Sequence, residues 1–500
     1  MRKVLRIEGP IDPERAFVEL YADSPCAFWL DSSRPGEGAR FSFMGDAGGP
    51  LAATVSYDVD AREIAVERAG ETELRSESIF DYLEREAGRL PAPDPDLLFD
   101  FQCGFVGYLG YELKAECGAT SAHSSPHPDA ALILADRILA FDHQLDQTYL
   151  LCLPDPAADD WLSATTARLI ALGGADQVGE TGEGSSEPPR CCSDESSPVS
   201  PYLARSRPQY LDDVAVCQQL LAAGDSYEIC LTNSIEADAE PDPLELYRRL
   251  RRINPAPFAS YLRFGDLAVL SSSPERFLRV DTARGVEAKP IKGTSRRSLD
   301  PAEDARLAAE LQADEKNRAE NMMIADLMRN DLGRVCEFGS IAVPALMEVE
   351  SFETVHQLVT TVTGRLRPGV SAPECVRACF PPGSMTGAPK LRTMEILDQL
   401  EGAPRGIYSG AIGWFGAAGA CDLGVTIRTI VLSRGRATIG AGGAIVVESD
   451  PAAEYEEMLL KAAAPLRAID PEADSASISL ADPRRPADPP PPASAHEQTS

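Results

Sequence analysis

Lys292 stands in the stretch A-K-P-I-K-G-T-S-R (288–296), directly before a glycine and three residues after another lysine. It is either a charge capping a strand or an amine placed to form a bond, and its neighbours leave both readings open. Glu275, in S-S-S-P-E-R-F (271–277), closes the apolar run V-L-S-S-S. Glu320 and Asn321 stand one helical turn before the apolar set Met323, Ile324, Leu327 and Met328, so Glu320 belongs to a solvated face or to the edge of a polar cleft. Glu454 and Glu457 share a helical face, and Lys461 follows Glu457 by four residues, a spacing that usually only stabilises a surface. Just before them, I-G-A-G-G-A-I-V-V-E-S-D carries Gly440, Gly442 and Gly443. These glycines would form a tight turn, or a nest whose N–H groups approach an anion. A nest beside a carboxylate helix suits a carboxylated substrate held through Mg²⁺, because a hard cation takes oxygen ligands. His356 falls in a strand pattern, V-H-Q-L-V-T-T-V-T-G, where a lone histidine is more often structural than catalytic. G-S-M-T-G-A-P-K (383–390), which contains Thr386, is a Gly/Pro turn that caps the following helix or cradles an anion. The sequence holds no G-x-x-x-x-G-K-[ST], G-x-S-x-G or G-x-G-x-x-G, which weakens nucleotide, serine-hydrolase and dinucleotide chemistry.

The elements that must position these groups are mixed. Strand-like runs include C-A-F-W-L-D-S, L-A-A-T-V-S-Y-D-V, S-Y-E-I-C-L-T and about half of A-L-I-L-A-D-R-I-L-A-F-D, while P-Q-Y-L-D-D-V-A-V-C-Q-Q-L-L-A-A-G reads as a helix stopped by glycine. A long polar helical region opens at Asp300, an N-cap before Pro301. Strands and helices do not alternate strictly, so the expected class is α+β with large, mostly antiparallel sheets rather than a doubly wound parallel sheet. Two stretches read as disordered: the acidic Gly/Ser/Glu/Pro linker 173–200 and the proline-rich tail 482–500. They set off an N-terminal part, 1–172, from a part at 201–470. With 78 acidic against 47 basic residues, the net charge of −31 argues against a nucleic-acid partner. No apolar run reaches the length of a membrane span and no signal-like segment opens the chain, so a soluble, cytoplasmic protein is expected. Twelve cysteines without a C-x-x-C, beside only five histidines, read as free thiols rather than a zinc site.

From about residue 200 to 465 the chain resembles the chorismate-utilising family, which includes anthranilate, isochorismate and salicylate synthases. The resemblance rests on G-D-S-Y-E-I-C-L-T (224–232), S-P-E-R-F, P-I-K-G-T, R-A-E-N-M-M-I-A-D-L-M-R-N-D-L-G-R (318–334), V-H-Q-L, P-P-G-S-M-T-G-A-P-K, Y-S-G-A-I-G-W (408–414), V-T-I-R-T (425–429), G-A-G-G-A-I-V-V-E-S-D and E-Y-E-E, and more loosely on F-W-L-D-S and G-F-V-G-Y-L-G-Y-E. It implies two large sheets packed face to face with helices outside, a cleft at one side, and chorismate bound with Mg²⁺ in the 201–470 part.

Within that family, anthranilate synthases typically carry P-I-A-G-T where this chain has Lys292. The lysine implies amination of chorismate at C4 with the enolpyruvyl group retained, feeding 4-aminobenzoate and folate synthesis. In this scheme Lys292, its pKa lowered by desolvation, adds at C2, and Glu275 is the acid for the departing C4 hydroxyl. His356 matches a histidine tied to elimination in anthranilate synthases. Glu320, Glu457 and Glu454 form the Mg²⁺ environment. Arg428, Tyr408, Thr386 and the Gly442 and Gly443 backbone hold the substrate, with Lys461 beside the metal-bound carboxylate. Water-using relatives place a lysine where this chain has Glu228, which argues against isochorismate or salicylate formation. Ammonia implies a separate glutaminase partner, since no Cys–His–Glu glutaminase region is visible. Asp31 and Ser32, in F-W-L-D-S, match the part that binds tryptophan in relatives. An anthranilate synthase is the nearest alternative; a non-catalytic scaffold is the alternative of another kind.

Overall fold

The computed structural model describes residues 2–32, 40–174, 201–351 and 355–471. Gly173 and Gly174 close the helix Ala158–Gly174; the rest of the expected linker and the 482–500 tail lie outside the described residues.

The strands form two 12-stranded sheets in which the strand pairings are antiparallel. Neither half of the chain owns a sheet. In the first, Cys26–Asp31 pairs with Phe258–Phe264, Trp29 opposite Tyr261, joining N-terminal strands to Leu267–Ser273, Thr429–Ser433, Arg436–Ile445 and Glu228–Asp238. In the second, Gly104–Leu109 pairs with Ala411–Gly416 and so joins N-terminal strands to Cys421–Val425, Arg276–Val280, Gly285–Lys289, Val355–Arg365 and Ile291–Arg296.

The period of two along each strand sorts the core. Phe28 faces the other sheet with Val106, Tyr108, Leu262, Ile412 and Trp414 in one cluster, whereas its neighbour Trp29 turns outward to Phe17 and Tyr247 beneath the helices. A third cluster covers the outer face of the second sheet with Phe80, Ile324, Met328, Cys375 and Phe380. Both faces of the central strands are therefore buried, which is why those strands read as nearly continuous apolar runs, whereas the edge strand Glu71–Ser76 is exposed. The sheets pack face to face with helices outside, as expected.

The run 130–142 shows what such runs conceal. Ala130–Ala135 lies in the second sheet and Arg137–Asp142 in the first, with Asp136 at the crossing. The helical region after Asp300 is two helices, Pro301–Ala313 and Glu315–Gly333, and Asp314 caps the second by accepting from the Asn317 N–H. In the apolar stripe Ile324, Leu327 and Met328 are buried and Met323 half-buried. Among the described residues no helix is long and apolar enough to cross a membrane, and the ten described cysteines are free thiols.

Candidate active site

Lys292 projects from strand Ile291–Arg296, whose register against Val355–Arg365 slips between Ile291 and Thr294. Gly293 sits in this irregularity with φ of +92°, a conformation glycine adopts without strain. A Cβ there would also strike the Asn317 side chain at 2.8 Å. Such a bulge re-aims a side chain out of the regular alternation. The Lys292 amine reaches Glu228 Oε1 at 2.7 Å and Glu320 Oε2 at 3.7 Å, linking the edge strand of the second sheet to strand Glu228–Asp238 of the first and to helix Glu315–Gly333. Burial pushes this amine down, as expected from sequence, but the negative charges of Glu228 and Glu320 outweigh it. The net shift is upward, so the expectation of a lowered pKa is corrected: Lys292 rests as an ammonium.

Glu275 and Arg428 occupy two places where the chain crosses between sheets. Glu275 links Leu267–Ser273 to Arg276–Val280; Arg428 links Cys421–Val425 to Thr429–Ser433. The crossings are tied by Val425 N–H donating to Glu275 O and Ser272 N–H donating to Arg428 O, at 3.0 and 3.2 Å. Burial raises the Glu275 carboxyl to about 7, against weaker opposing pulls from Ser384, Lys292, the Ile291 N–H and Lys461. A carboxylic acid that keeps its proton near neutrality suits protonation of a leaving group. Arg428 has a φ of +54°. Burial lowers its pKa, with Tyr408 and Glu457 the charges in reach. Among the described residues its guanidinium has no hydrogen-bond or ion-pair partner, leaving its fork for an incoming carboxylate. Arg428→Met should therefore raise the KM of a carboxylate substrate about ten- to a hundredfold. Its thermal midpoint should hold or rise, because a desolvated, unpaired charge is removed; a matched fall in kcat at unchanged KM would contradict this.

Gly440, Gly442 and Gly443 are not a turn or nest. They lie within the strand Arg436–Ile445, opposite Ser234, Thr232 and Leu231. Their lack of side chains serves approach by other groups: a Cβ on Gly440 would meet the Tyr408 ring at 2.1 Å, and one on Gly443 would meet Glu454 Oε2 at 3.1 Å and Lys461 Nζ at 3.9 Å. Glu454 and Glu457 project from helix Pro451–Ile469, capped by Asp450. Lys461 Nζ lies 2.7 Å from Glu457 Oε1 and donates to Gly442 O at 2.9 Å. Burial works against the Glu457 charge, but Lys461, Lys316 and Lys292 together hold its pKa below the usual value. Burial raises Glu320 despite Lys292.

These carboxylates fit a hard cation in kind. Glu454 Oε2 is buried and unpartnered while its other oxygen accepts from Ser449 Oγ at 2.7 Å, and the Cβ-free strand at Gly443 leaves room beside it. Among the described residues, however, no three Asp, Glu, His or Cys side chains stand close enough together to hold an ion as they are. Lysines stand between the carboxylates instead.

Residues 27–467 match the sequence profile of chorismate binding enzymes. The chain belongs to the chorismate-binding enzyme family. It is 51% identical over 464 residues to aminodeoxychorismate synthase of Streptomyces griseus, covering 92% of this chain but 63% of that protein. It is 36% identical over 470 residues to anthranilate synthase component 1 of Streptomyces coelicolor, covering 93% of this chain and 87% of that one. The crystal structure of anthranilate synthase component I from Streptococcus pneumoniae superposes with a TM-score of 0.70 at 29% identity, over 86% of this chain and 92% of that one. The chain thus spans less than two thirds of the length of the Streptomyces griseus relative.

Other residues singled out on the chorismate-binding pattern lie less centrally. Both ring nitrogens of His356 are engaged, Nδ1 with Ser351 Oγ at 2.8 Å and Nε2 with Asp304 at 3.1 Å, pinning helix Pro301–Ala313 to strand Val355–Arg365. No hydrogen bond joins His356 to Lys292 or Glu275 among the described residues. The Thr386 hydroxyl is buried and donates to Gly383 O at 3.2 Å within its own turn. Tyr408 packs over Gly440 and lines a cavity of about 880 Å³ that no other expected substrate residue lines. Asp31 and Ser32 line a separate cavity of about 290 Å³, where Asp31 accepts from Arg251 Nε at 2.7 Å and Tyr247 Oη at 3.1 Å. Three contributors were not legible as such: Glu228 as the partner of Lys292, Ser449 as the partner of Glu454, and Lys316. The signal for Lys316 was its place one turn before Glu320, an i,i+4 pair.

Proposed function

We propose that the chain converts chorismate and ammonia to 4-amino-4-deoxychorismate, for 4-aminobenzoate and folate synthesis. The observation that carries this is the bulge-borne Lys292 amine, held between Glu228 and Glu320, with its charge in reach of the Glu275 carboxyl that burial raises to about 7. The 51% identity to an aminodeoxychorismate synthase supports it. Arg428 and Tyr408 hold a substrate carboxylate. Lys292 transfers a proton to Glu228 and adds at C2 through its free amine. The two ring double bonds each shift one position and expel the C4 hydroxyl, which takes the Glu275 proton and leaves as water. Ammonia adds at C4, the double bonds return, and the Lys292 nitrogen departs from C2 to regenerate the enzyme. Glu320, Glu454 and Glu457 would hold Mg²⁺, which supplies charge neutralisation for the ring carboxylate. Asp31 and Ser32 would place a tryptophan in the smaller cavity, with Asp31 already committed to Arg251.

Ammonia comes from a glutaminase partner. More than a third of the Streptomyces griseus relative lies outside the match and leaves room there for such a unit. Product analysis tests the assignment: chorismate, Mg²⁺ and ammonium should give 4-amino-4-deoxychorismate, converted to 4-aminobenzoate only by an added lyase. Direct release of fluorescent anthranilate would replace it with the anthranilate synthase reading. Glu228→Gln removes one charge that keeps Lys292 protonated. Because the free amine attacks, and its fraction rises with pH through its pKa, the ascending limb of the kcat/KM profile should move to lower pH. An unmoved limb would detach Glu228 from the lysine's protonation.

A further inference from the structure

Lys316 is the one cation, among the described residues, that ion-pairs with two of the expected metal carboxylates. It lies in the first turn of helix Glu315–Gly333. Its amine is 3.0 Å from Glu454 Oε1 and 3.8 Å from Glu320 Oε1, so it ties this helix to helix Pro451–Ile469 across the site. The three lysines around these carboxylates differ in how firmly they are held. Lys292 has 12% of its side chain exposed, and Lys461 is anchored to a backbone carbonyl as well as to Glu457. Lys316 is 48% exposed and its amine meets carboxylates alone among the described residues, so its stem can swing the ammonium into water. Meanwhile Glu454 keeps an unpartnered, buried Oε2, its other oxygen shared between Ser449 and Lys316.

We propose that Lys316 is a displaceable counter-ion. In the metal-free protein its ammonium neutralises Glu320 and Glu454 and holds the two helices together. The divalent cation enters as Lys316 swings out, which accounts for the absence of an assembled three-ligand cluster among the described residues. The role rests on the assignment of Glu320, Glu454 and Glu457 as the metal site. It adds a competition between one side chain and the ion.

Calorimetric titration with Mg²⁺ alone tests it on the wild-type chain, Lys316→Met and Arg318→Met, the last removing a charge from the same helix that touches none of these carboxylates. Lys316→Met should bind Mg²⁺ roughly three- to tenfold tighter, the weight of one or two half-exposed ion pairs, and Arg318→Met should match the wild type. In parallel, acetylation of Lys316 by an N-hydroxysuccinimide ester, read by mass spectrometry, should quicken when Mg²⁺ is added to the wild-type chain. If the wild type binds Mg²⁺ but Lys316→Met binds no tighter, or Lys316 labelling does not quicken, the counter-ion role is wrong and the metal site stands. If the wild type takes up no Mg²⁺, the metal site itself falls, and this role with it.

Discussion

Lys292→Ala should lower kcat/KM for amination of chorismate at C4 about a thousandfold, and the residual turnover should drift toward anthranilate. The size follows from the role proposed for the lysine. Without an amine at C2, ammonia must displace a hydroxyl from a carbon that no covalent intermediate has prepared. The substitution has a structural side as well. Glu228 is 1% exposed, its Oε1 bonds to Lys292, and its Oε2 already lacks a partner. Stripping its counter-ion leaves a buried charge alone, at a cost of about 3–5 kcal/mol. The double variant Lys292→Ala/Glu228→Gln separates the two effects. Its thermal midpoint should recover most of the loss while its turnover stays low. Recovery of activity along with stability would show that the lysine merely holds the fold together.

Glu275→Gln should reduce kcat by about a hundred- to ten-thousandfold, because the amide cannot give a proton to the departing oxygen. It should also stabilise the protein at alkaline pH. The folded-state pKa of about 7 stands above the ordinary 4.5. Below 4.5 the group is protonated folded or unfolded and costs nothing. Between 4.5 and 7 the unfolded chain releases the proton while the folded chain keeps it, so stability falls as pH rises, and the loss is complete above 7. Glutamine carries no such penalty. The variant's gain in midpoint should therefore be absent at pH 4 and full at pH 8, where it reaches at most a few kcal/mol. An active variant, or a midpoint gain that ignores pH, would remove Glu275 from its role. A residue whose replacement costs rate and adds stability is placed for chemistry.

The central strands were legible because both of their faces are covered, leaving runs such as C-A-F-W-L-D and V-L-S-S-S nearly continuous in apolar or small residues. Sheet membership was not legible, since nothing within A-L-I-L-A-D-R-I-L-A-F-D says that the chain changes sheet at Asp136. The misreading of Gly440–Gly443 has the same origin. Their small size answers to Tyr408 and Glu454, groups distant in the chain that a local window does not contain. The same holds for Lys292: desolvation is visible in its own neighbourhood, but Glu228, 64 residues away, reverses the sign. His356 falls in a strand as expected, yet its hydrogen bond to Asp304 depends on a helix folded over it, and the one to Ser351 on the neighbouring strand.

The sharing of both sheets between the two halves of the chain governs how the molecule comes into being. Either half, emerging alone, would carry two raw seams: Cys26–Asp31 and Gly104–Leu109 on one side, Phe258–Phe264 and Ala411–Gly416 on the other. Each seam is an unpaired row of backbone donors and acceptors flanked by large apolar side chains, the kind of edge that recruits other chains. The first half is therefore committed to waiting during synthesis until residues beyond 411 exist to close its second seam.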